Sequence, residues 1–280
     1  MSVGVAFEKA RAEGRPALVG YLPAGFPTVA GGISAVRALA ASGVDVIEVG
    51  FPYSDPVMDG PVIQRATEVA LAGGVRASDV LRTVAAVAET GVPVLVMTYW
   101  NLVEHYRGGG AEGGVAAFAR DLAAAGGSGL ITPDLIPDEA EQWLAVSDEY
   151  GLDRVFLVAP SSTDARIAAT VAACRGFVYA TSVMGVTGAR ATTSQAAPAL
   201  VARVRQALPA ANPGLPVGVG VGVRDGEQAA QVGAYADAVI VGSALVSCLA
   251  GVELAAGLET LRELAGDLAS GVRRARDARG

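Results

Sequence analysis

Two carboxylates in the stretch VIEVGFPYSDPVMDGPVIQ, residues 46–64, have the types and the spacing that acid–base chemistry requires. Glu48 lies inside an apolar run typical of a buried strand, and Asp59 lies in the Pro- and Gly-rich loop beyond it. A glutamate in a buried strand costs several kcal/mol unless it is paired, protonated or facing a wet cavity. One interpretation is therefore structural, namely a salt-bridged core glutamate followed by an ordinary turn aspartate. The other is a pocket in which one carboxyl group donates protons while the other stays ionised.

The rest of the chain predicts the elements that would position these carboxylates. Short runs rich in Val, Ile and Leu alternate with longer Ala-rich amphipathic segments along the whole sequence. Strands are predicted at 17–22, 45–50, 93–99, 128–132, 153–159, 176–181, 216–222 and 236–242. Helices are predicted at 5–13, 29–42, 63–72, 77–90, 113–126, 138–150, 162–174, 195–208, 226–232, 243–248 and 252–269.

Eight strand–helix units in 280 residues predict a single α/β domain, a (β/α)8 TIM barrel with an extra N-terminal helix. We assign residues 1–270 to this domain and expect a disordered tail over 271–280. The alternative is a doubly wound open sheet, which usually has fewer repeated units at this length.

Composition and charge disfavour several classes of protein. The net charge of −7 and pI of about 4.8 argue against nucleic acid or an anionic membrane as the main partner. No signal-peptide pattern or long uncharged apolar stretch is present, so we expect a cytoplasmic protein without membrane contact. Cys174 and Cys248 are predicted to be buried thiols. His105 is the only histidine and is interpreted as a loop residue, so neither a multi-histidine metal site nor a Ser-His-Asp triad is expected.

The active sites of such barrels form at the C-terminal ends of the strands. Glu48 lies near that end of strand two, and Asp59 lies in the loop directly above it. On the opposite side, residues 220–222 close strand seven with the sequence GVG, and Gly242 and Ser243 lead from strand eight into a short helix. Glycine allows the backbone to approach an anion closely, and a helix N-terminus offers free N–H groups. We therefore predict a phosphate site there, although tight turns in a chain with 36 glycines are the simpler interpretation.

The loop after strand six, SVMGVTGARATTS, is predicted to be a lid over the barrel mouth. Tyr179, within strand six, faces either the pocket or the helix layer. Apolar and aromatic residues are expected to lie between the carboxylates and the phosphate site: Tyr21, Met97, Tyr99 and Ile131. Without a metal or nucleotide motif, the pattern favours acid–base carbon chemistry on a sugar phosphate.

Seven motifs in order resemble the tryptophan synthase α subunit family and cover nearly the whole chain. They read GYLPAGFP, IEVGFPYSDPVMDGPVIQ, MTYWN, TPDLIP, MGVTGAR, GVGVRDGEQ and VGSALV. The resemblance implies retro-aldol cleavage of indole-3-glycerol phosphate to indole and glyceraldehyde 3-phosphate. It implies that Glu48 is the general acid–base, that Asp59 accepts the indole N–H, and that Tyr179 is an active-site tyrosine.

The resemblance also implies the binding residues and a partner. Thr187 would contact Asp59 when the lid closes, and the phosphate would be bound by Gly188, Gly222, Gly242 and Ser243. Tyr21, Tyr99 and Ile131 would help to line the indole slot. The chain itself would need no cofactor. Its partner would be a β subunit that carries pyridoxal phosphate, in an α2β2 heterotetramer docked on residues 52–58, Asn101 and 134–137.

Two residues depart from the family pattern. Met58 replaces the small residue usual before Asp59, and Val183 stands where some members carry arginine. Neither change removes a proton-transfer group.

Three other functions remain open at this point. A free-standing indole-3-glycerol phosphate lyase would use the same carboxylates without a partner. A catalytically silent regulatory barrel would keep the fold alone, and a sugar-phosphate isomerase matches the carboxylate loop poorly.

Overall fold

A computed structural model of the chain describes residues 1–108, 113–181, 196–210 and 212–275. Eight parallel strands form a closed barrel in chain order, in which β1 also pairs with β8. The strands are β1 Ala17–Pro23, β2 Val46–Gly50, β3 Val94–Met97, β4 Gly129–Thr132, β5 Asp153–Val158, β6 Val178–Thr181, β7 Val217–Gly220 and β8 Ala238–Val241. The predicted TIM barrel is therefore confirmed, and the open-sheet alternative is wrong.

Helices surround the barrel and connect its strands. Within the described residues they are α1 Gly4–Ala12, α2 Val29–Ala41, α3 Pro61–Ala72, α4 Ala77–Ala88, α5 Trp100–Glu104, α6 Val115–Ala124, α7 Glu141–Glu149, α8 Asp164–Ala173, α9 Ala196–Gln206, α10 Gly226–Gly233, α11 Ser243–Ser247 and α12 Leu254–Arg274. Thr163 and Asp225 cap α8 and α10 by accepting backbone N–H groups. None of the described helices is both long and apolar enough to cross a membrane.

The N-terminal helix α1 packs against the inner cluster of the barrel. Its Phe7 ring lies 5.4 Å from Phe177, whose ring lies 6.3 Å from Tyr179. The buried carboxylate of Asp153 accepts hydrogen bonds from the Ser2 hydroxyl and from the Val3 N–H at 2.8 Å. The inner cluster is fully or almost fully buried and includes Ala17, Val19, Val46, Leu95, Ile131, Val155, Phe177, Tyr179, Ala238 and Ile240. A column of side chains thus fills the barrel beneath its mouth.

The third strand is shorter than predicted. It ends at Met97 rather than residue 99, and α5 begins at Trp100. The Trp100 N–H donates to both oxygens of Asp134 at 3.0 Å, so a residue from the next strand's loop caps this helix. His105, predicted to be a loop residue, directly follows α5.

Other boundaries also differ from the sequence prediction. The helix predicted at 138–150 is a 3-10 turn, Pro137–Glu139, followed by α7. The last helix continues beyond 269 to Arg274, because Val272 and Ala275 are buried on its inner face. Of the predicted tail, residues 276–280 lie outside the described residues.

Helix α4 begins after Arg76, whose N–H donates to the Asp79 carboxylate at 2.9 Å. The two cysteines, both predicted to be buried, differ from each other. Cys174 is buried, as predicted, and burial raises its thiol pKa to about 12. Cys248 is only half-buried, and its Sγ lies 3.4 Å from the carbonyl oxygen of Ala244.

Candidate functional site

Glu48 lies inside the barrel near the C-terminal end of β2. Its Cα pairs with those of Tyr21 on β1 and Leu95 on β3, and Val46, two residues earlier on the same face, belongs to the inner cluster. Glu48 is 1% exposed, and its Oε1 has no hydrogen-bond partner in the described part of the chain. Burial raises its pKa to about 8. The carboxyl group is therefore protonated at neutral pH.

The structural interpretation of Glu48 was a salt-bridged core glutamate. Among residues 1–108, 113–181, 196–210 and 212–275, no basic side chain forms an ion pair with it. The described residues therefore give the salt-bridged interpretation no support. A buried, unpaired and protonated carboxyl group is suited to proton transfer.

Asp59 lies in the loop between β2 and α3 and is half-buried. Burial raises its pKa to about 6, so it is mostly ionised at neutral pH. Its backbone is held on both sides: the Met58 N–H donates to the Tyr99 hydroxyl at 2.9 Å, and Gln64 Nε2 donates to the Asp59 carbonyl oxygen at 2.9 Å.

Tyr21 and Tyr179 are buried tyrosines on the inner side of the strands that carry them. Burial and then the charges of Asp59 and Glu48 raise the pKa of Tyr21 well above its usual value. Burial and the charge of Glu48 do the same for Tyr179. Both phenols are therefore neutral hydrogen-bond groups close to the carboxylates. Tyr179, for which two orientations were open, belongs to the inner cluster.

Two glycines make room for these tyrosines. A methyl group added at Gly220 would lie 2.6 Å from the Tyr179 hydroxyl oxygen, and one at Gly50 would overlap the Tyr21 hydroxyl. Each tyrosine therefore extends over the glycine at the end of the next strand. This explains why small residues close β2 and β7.

The glycines predicted for phosphate lie at the ends of β7 and β8. Gly222 has a φ of +75°, a conformation that favours glycine, and Gly242 immediately precedes α11. A methyl group at Gly242 would lie 3.4 Å from Tyr21, so this turn borders the same mouth. Ser243, the first residue of α11, is buried at its start.

The remaining predicted site residues lie in different parts of the barrel or outside the described residues. The Tyr99 ring is 7% exposed and lies 5.2 Å from the Tyr53 ring, beside the Asp59 loop. Ile131 is fully buried within the inner cluster, below the mouth. Thr187, Gly188 and Val183, together with the predicted lid, lie outside the described residues.

Sequence reasoning missed Gln64 and the capping role of Asp134. Asp134 follows strand four much as Asp59 follows strand two, so its position was a usable signal. Gln64 lies five residues after Asp59 at the start of a helix and gave none. In the part of the chain that the structure describes, no group of three or more His, Cys, Asp or Glu side chains could hold a metal ion.

This fold and site define the class of (β/α)8-barrel enzymes, with two carboxyl groups of raised pKa at the C-terminal ends of the strands. The family model described as "Tryptophan synthase alpha chain" matches residues 7–273, and the chain belongs to that family. It is accordingly a lyase of tryptophan biosynthesis.

Individual relatives agree over nearly their full length. The chain is 66% identical over 272 residues to the tryptophan synthase α chain of Salinispora tropica, covering 97% of each, and 61% identical to that of Mycobacterium marinum, covering 97% of this chain and 94% of the other. It is also similar to a solved structure of Mycobacterium tuberculosis tryptophan synthase. That match has 60% identity and a TM-score of 0.88, and it covers 97% of this chain and 98% of the other.

Proposed function

We propose that the chain cleaves indole-3-glycerol phosphate to indole and glyceraldehyde 3-phosphate, with Glu48 as the general acid–base and Asp59 as the acceptor of the indole N–H. The observation that carries the proposal is the position of Glu48, a buried and unpaired carboxyl group at the mouth of the barrel, whose pKa is raised by that burial. Family membership supports the substrate, because relatives at 60–66% identity are tryptophan synthase α chains.

The proposed reaction moves one proton from a substrate hydroxyl group to indole C3. Glu48 first protonates C3, and the ring nitrogen becomes positively charged while its N–H donates to the Asp59 carboxylate. The Glu48 carboxylate then removes the proton of the hydroxyl group on the carbon attached to C3. The bond between that carbon and C3 breaks, its electrons restore the aromatic ring, and an aldehyde forms. Glu48 ends the cycle protonated.

The other roles follow from position and from the family resemblance. Tyr179 and Tyr21 would orient the ring beside Glu48, and Tyr99 and Ile131 would bound the indole slot from the side and from below. The phosphate would lie against Gly222, Gly242 and Ser243, where backbone N–H groups can bind an anion. Thr187 and Gly188 would complete the site when the predicted lid closes.

The pH dependence of cleavage tests the proposal. We expect kcat/KM to follow a bell-shaped curve with limbs at about 6 and about 8, because Asp59 must be ionised and Glu48 protonated. The measurement is indole release from indole-3-glycerol phosphate between about pH 5 and about pH 9, a range that includes both limbs. A chain that releases no indole anywhere in this range is not the proposed lyase, and a flat profile would remove the carboxylates from the mechanism.

The proposed partner is a tryptophan synthase β subunit that carries pyridoxal phosphate, in an α2β2 complex. Exposed side chains at the mouth support docking there: Val57 is 70% exposed, and Asn101 and Asp134 are also exposed. Pro52 and Leu135, which belong to the predicted docking segments, are buried and so are removed from the proposed surface.

Activation by the partner separates this assembly from a free-standing lyase. We expect a saturating β subunit to raise kcat/KM for cleavage about tenfold or more, a usual size for coupling between subunits. The comparison is indole release by the isolated chain with and without the β subunit. Full activity of the chain alone, unchanged by the β subunit, would favour the free-standing lyase.

A further inference from the structure

We propose that Tyr99 is a positioning residue, whose hydroxyl group holds Asp59 in its working place through the Met58 N–H. This inference rests on the proposed function, because it concerns the orientation of Asp59, the proposed acceptor of the indole N–H. It assigns separate tasks to two parts of one side chain. The ring bounds the pocket, and the hydroxyl oxygen anchors a backbone segment.

The anchor acts directly next to Asp59. The Tyr99 hydroxyl accepts from the Met58 N–H at 2.9 Å, and Met58 is the residue before Asp59. On the other side, Gln64 donates to the Asp59 carbonyl oxygen at 2.9 Å. These two hydrogen bonds fix the backbone on either side of the Asp59 side chain, so its carboxylate is held in one place where it can bind a ligand. A displacement of about 1 Å at such a group is enough to reduce a rate strongly.

The position of Tyr99 is itself over-determined. The next residue, Trp100, donates its N–H to Asp134 from the loop after β4 at 3.0 Å. The Tyr99 ring packs against Tyr53, and the Tyr53 hydroxyl accepts from Asn101 Nδ2 at 3.1 Å. Tyr99 and the two residues after it thus bond to the loops that follow β2 and β4. These contacts fix the place of the Tyr99 hydroxyl group, which can then hold the Met58 segment.

The electrostatic surroundings fit the same arrangement. Burial, followed by the charge of Asp59, raises the pKa of Tyr99 to about 12, so the hydroxyl group stays neutral. A neutral phenol can accept the Met58 N–H without adding a charge beside Asp59. The charge of Asp59 in turn raises the pKa of Tyr21 on β1 and of Tyr99 after β3.

Tyr99→Phe removes the hydroxyl group and keeps the ring. The matched control is Tyr106→Phe, in which another buried tyrosine loses a hydrogen bond of similar length, 2.8 Å to Asp121. The chain has four methionines, so selective ¹⁵N-methionine labelling allows the Met58 amide to be followed by NMR. We expect faster hydrogen exchange at Met58 in Tyr99→Phe and unchanged exchange in Tyr106→Phe. Unchanged exchange in Tyr99→Phe would overturn the anchor.

Kinetics test what the anchor does. We expect Tyr99→Phe to lower kcat for cleavage about tenfold with little change in KM, the loss that one neutral hydrogen bond can produce. Tyr106→Phe should keep the parental kcat. In an Asp59→Asn background, Tyr99→Phe should cost nothing further, because the residue acts through Asp59. An equal tenfold loss in both backgrounds would overturn the positioning role. If the parental chain releases no indole, the proposed function fails, whereas the exchange experiment still reports on the anchor.

Discussion

Glu48→Gln is expected to reduce the rate of indole-3-glycerol phosphate cleavage about 10³-fold, within the usual range for loss of a general acid–base. The side chain is buried, with no ion-pair partner among the described residues, and its pKa of about 8 keeps it mostly protonated at neutral pH. Glutamine has nearly the same shape as the protonated carboxyl group but cannot transfer its hydrogen in this way. The chain should therefore bind substrate and stay folded while the chemistry stops.

Indole release and substrate affinity of the variant check this expectation, and Glu68→Gln on the exposed face of α3 is the control. Unchanged cleavage by Glu48→Gln would contradict the mechanism. If neither the parental chain nor the variant cleaved the substrate, the hypothesis of a catalytically silent barrel would be favoured instead.

The same substitution has an effect on stability that activity alone would not reveal. The pKa of Glu48 is about 8 in the folded chain, against an ordinary value of 4.5. Its contribution is complete below about 4.5 and is lost as the pH rises through about 8, because the folded chain then has to ionise a buried carboxyl group. The parental chain should lose a few kcal/mol more unfolding free energy over this interval than Glu48→Gln, in which the raised pKa of Asp59 still contributes a smaller loss. Urea unfolding at both ends of the interval measures the difference.

Asp59→Asn is expected to lower kcat about 10²-fold or more, the usual cost of losing a group that stabilises charge in the transition state. The amide keeps the size of the side chain and leaves the backbone contacts to Tyr99 and Gln64 in place. It removes the negative charge that would face the indole nitrogen as that atom becomes positive. The loss should therefore appear in kcat more than in KM.

The pH profile of kcat/KM tests the role of Asp59 more specifically than the loss of kcat does. The acid limb at about 6 is assigned to Asp59, so it should disappear in Asp59→Asn while the limb at about 8 remains. Asp138→Asn, an exposed aspartate in the loop region after β4, is the control and should keep both limbs. Retention of the acid limb in Asp59→Asn would assign that limb to another group.

Much of the fold was readable from the sequence, because the signals for a barrel are local and repeated. Each strand is a short apolar run, and the alternation with amphipathic segments gives the count of eight. The elements that were missed depend on distant contacts. Helix α5 is capped by Asp134, which lies 34 positions away from Trp100. The extension of α12 to Arg274 depends on the burial of Val272 and Ala275. The hydrophobic pattern of the sequence near this charged end does not predict that burial.

In the candidate site, too, the residues placed by local sequence patterns were predicted, and those placed by distant contacts were not. The placement of Glu48 in the mouth followed from its strand position and the geometry of barrels. The anchor from Tyr99 to Met58 spans 41 positions, and no spacing rule connects a hydroxyl group after one strand with a backbone N–H after another. Tyr179 was ambiguous, because alternation fixes a face only after the register is known. Here the register places it inside.

The packed lower half of the barrel has a consequence for how substrate, products and water reach Glu48. Phe7, Phe177 and the rest of the inner cluster pack beneath Glu48. We therefore expect the substrate, the products and the solvent that renews the Glu48 hydrogen to share the opening at the C-terminal ends of the strands. A ligand that fills this opening should then slow the exchange of the Glu48 hydrogen with water.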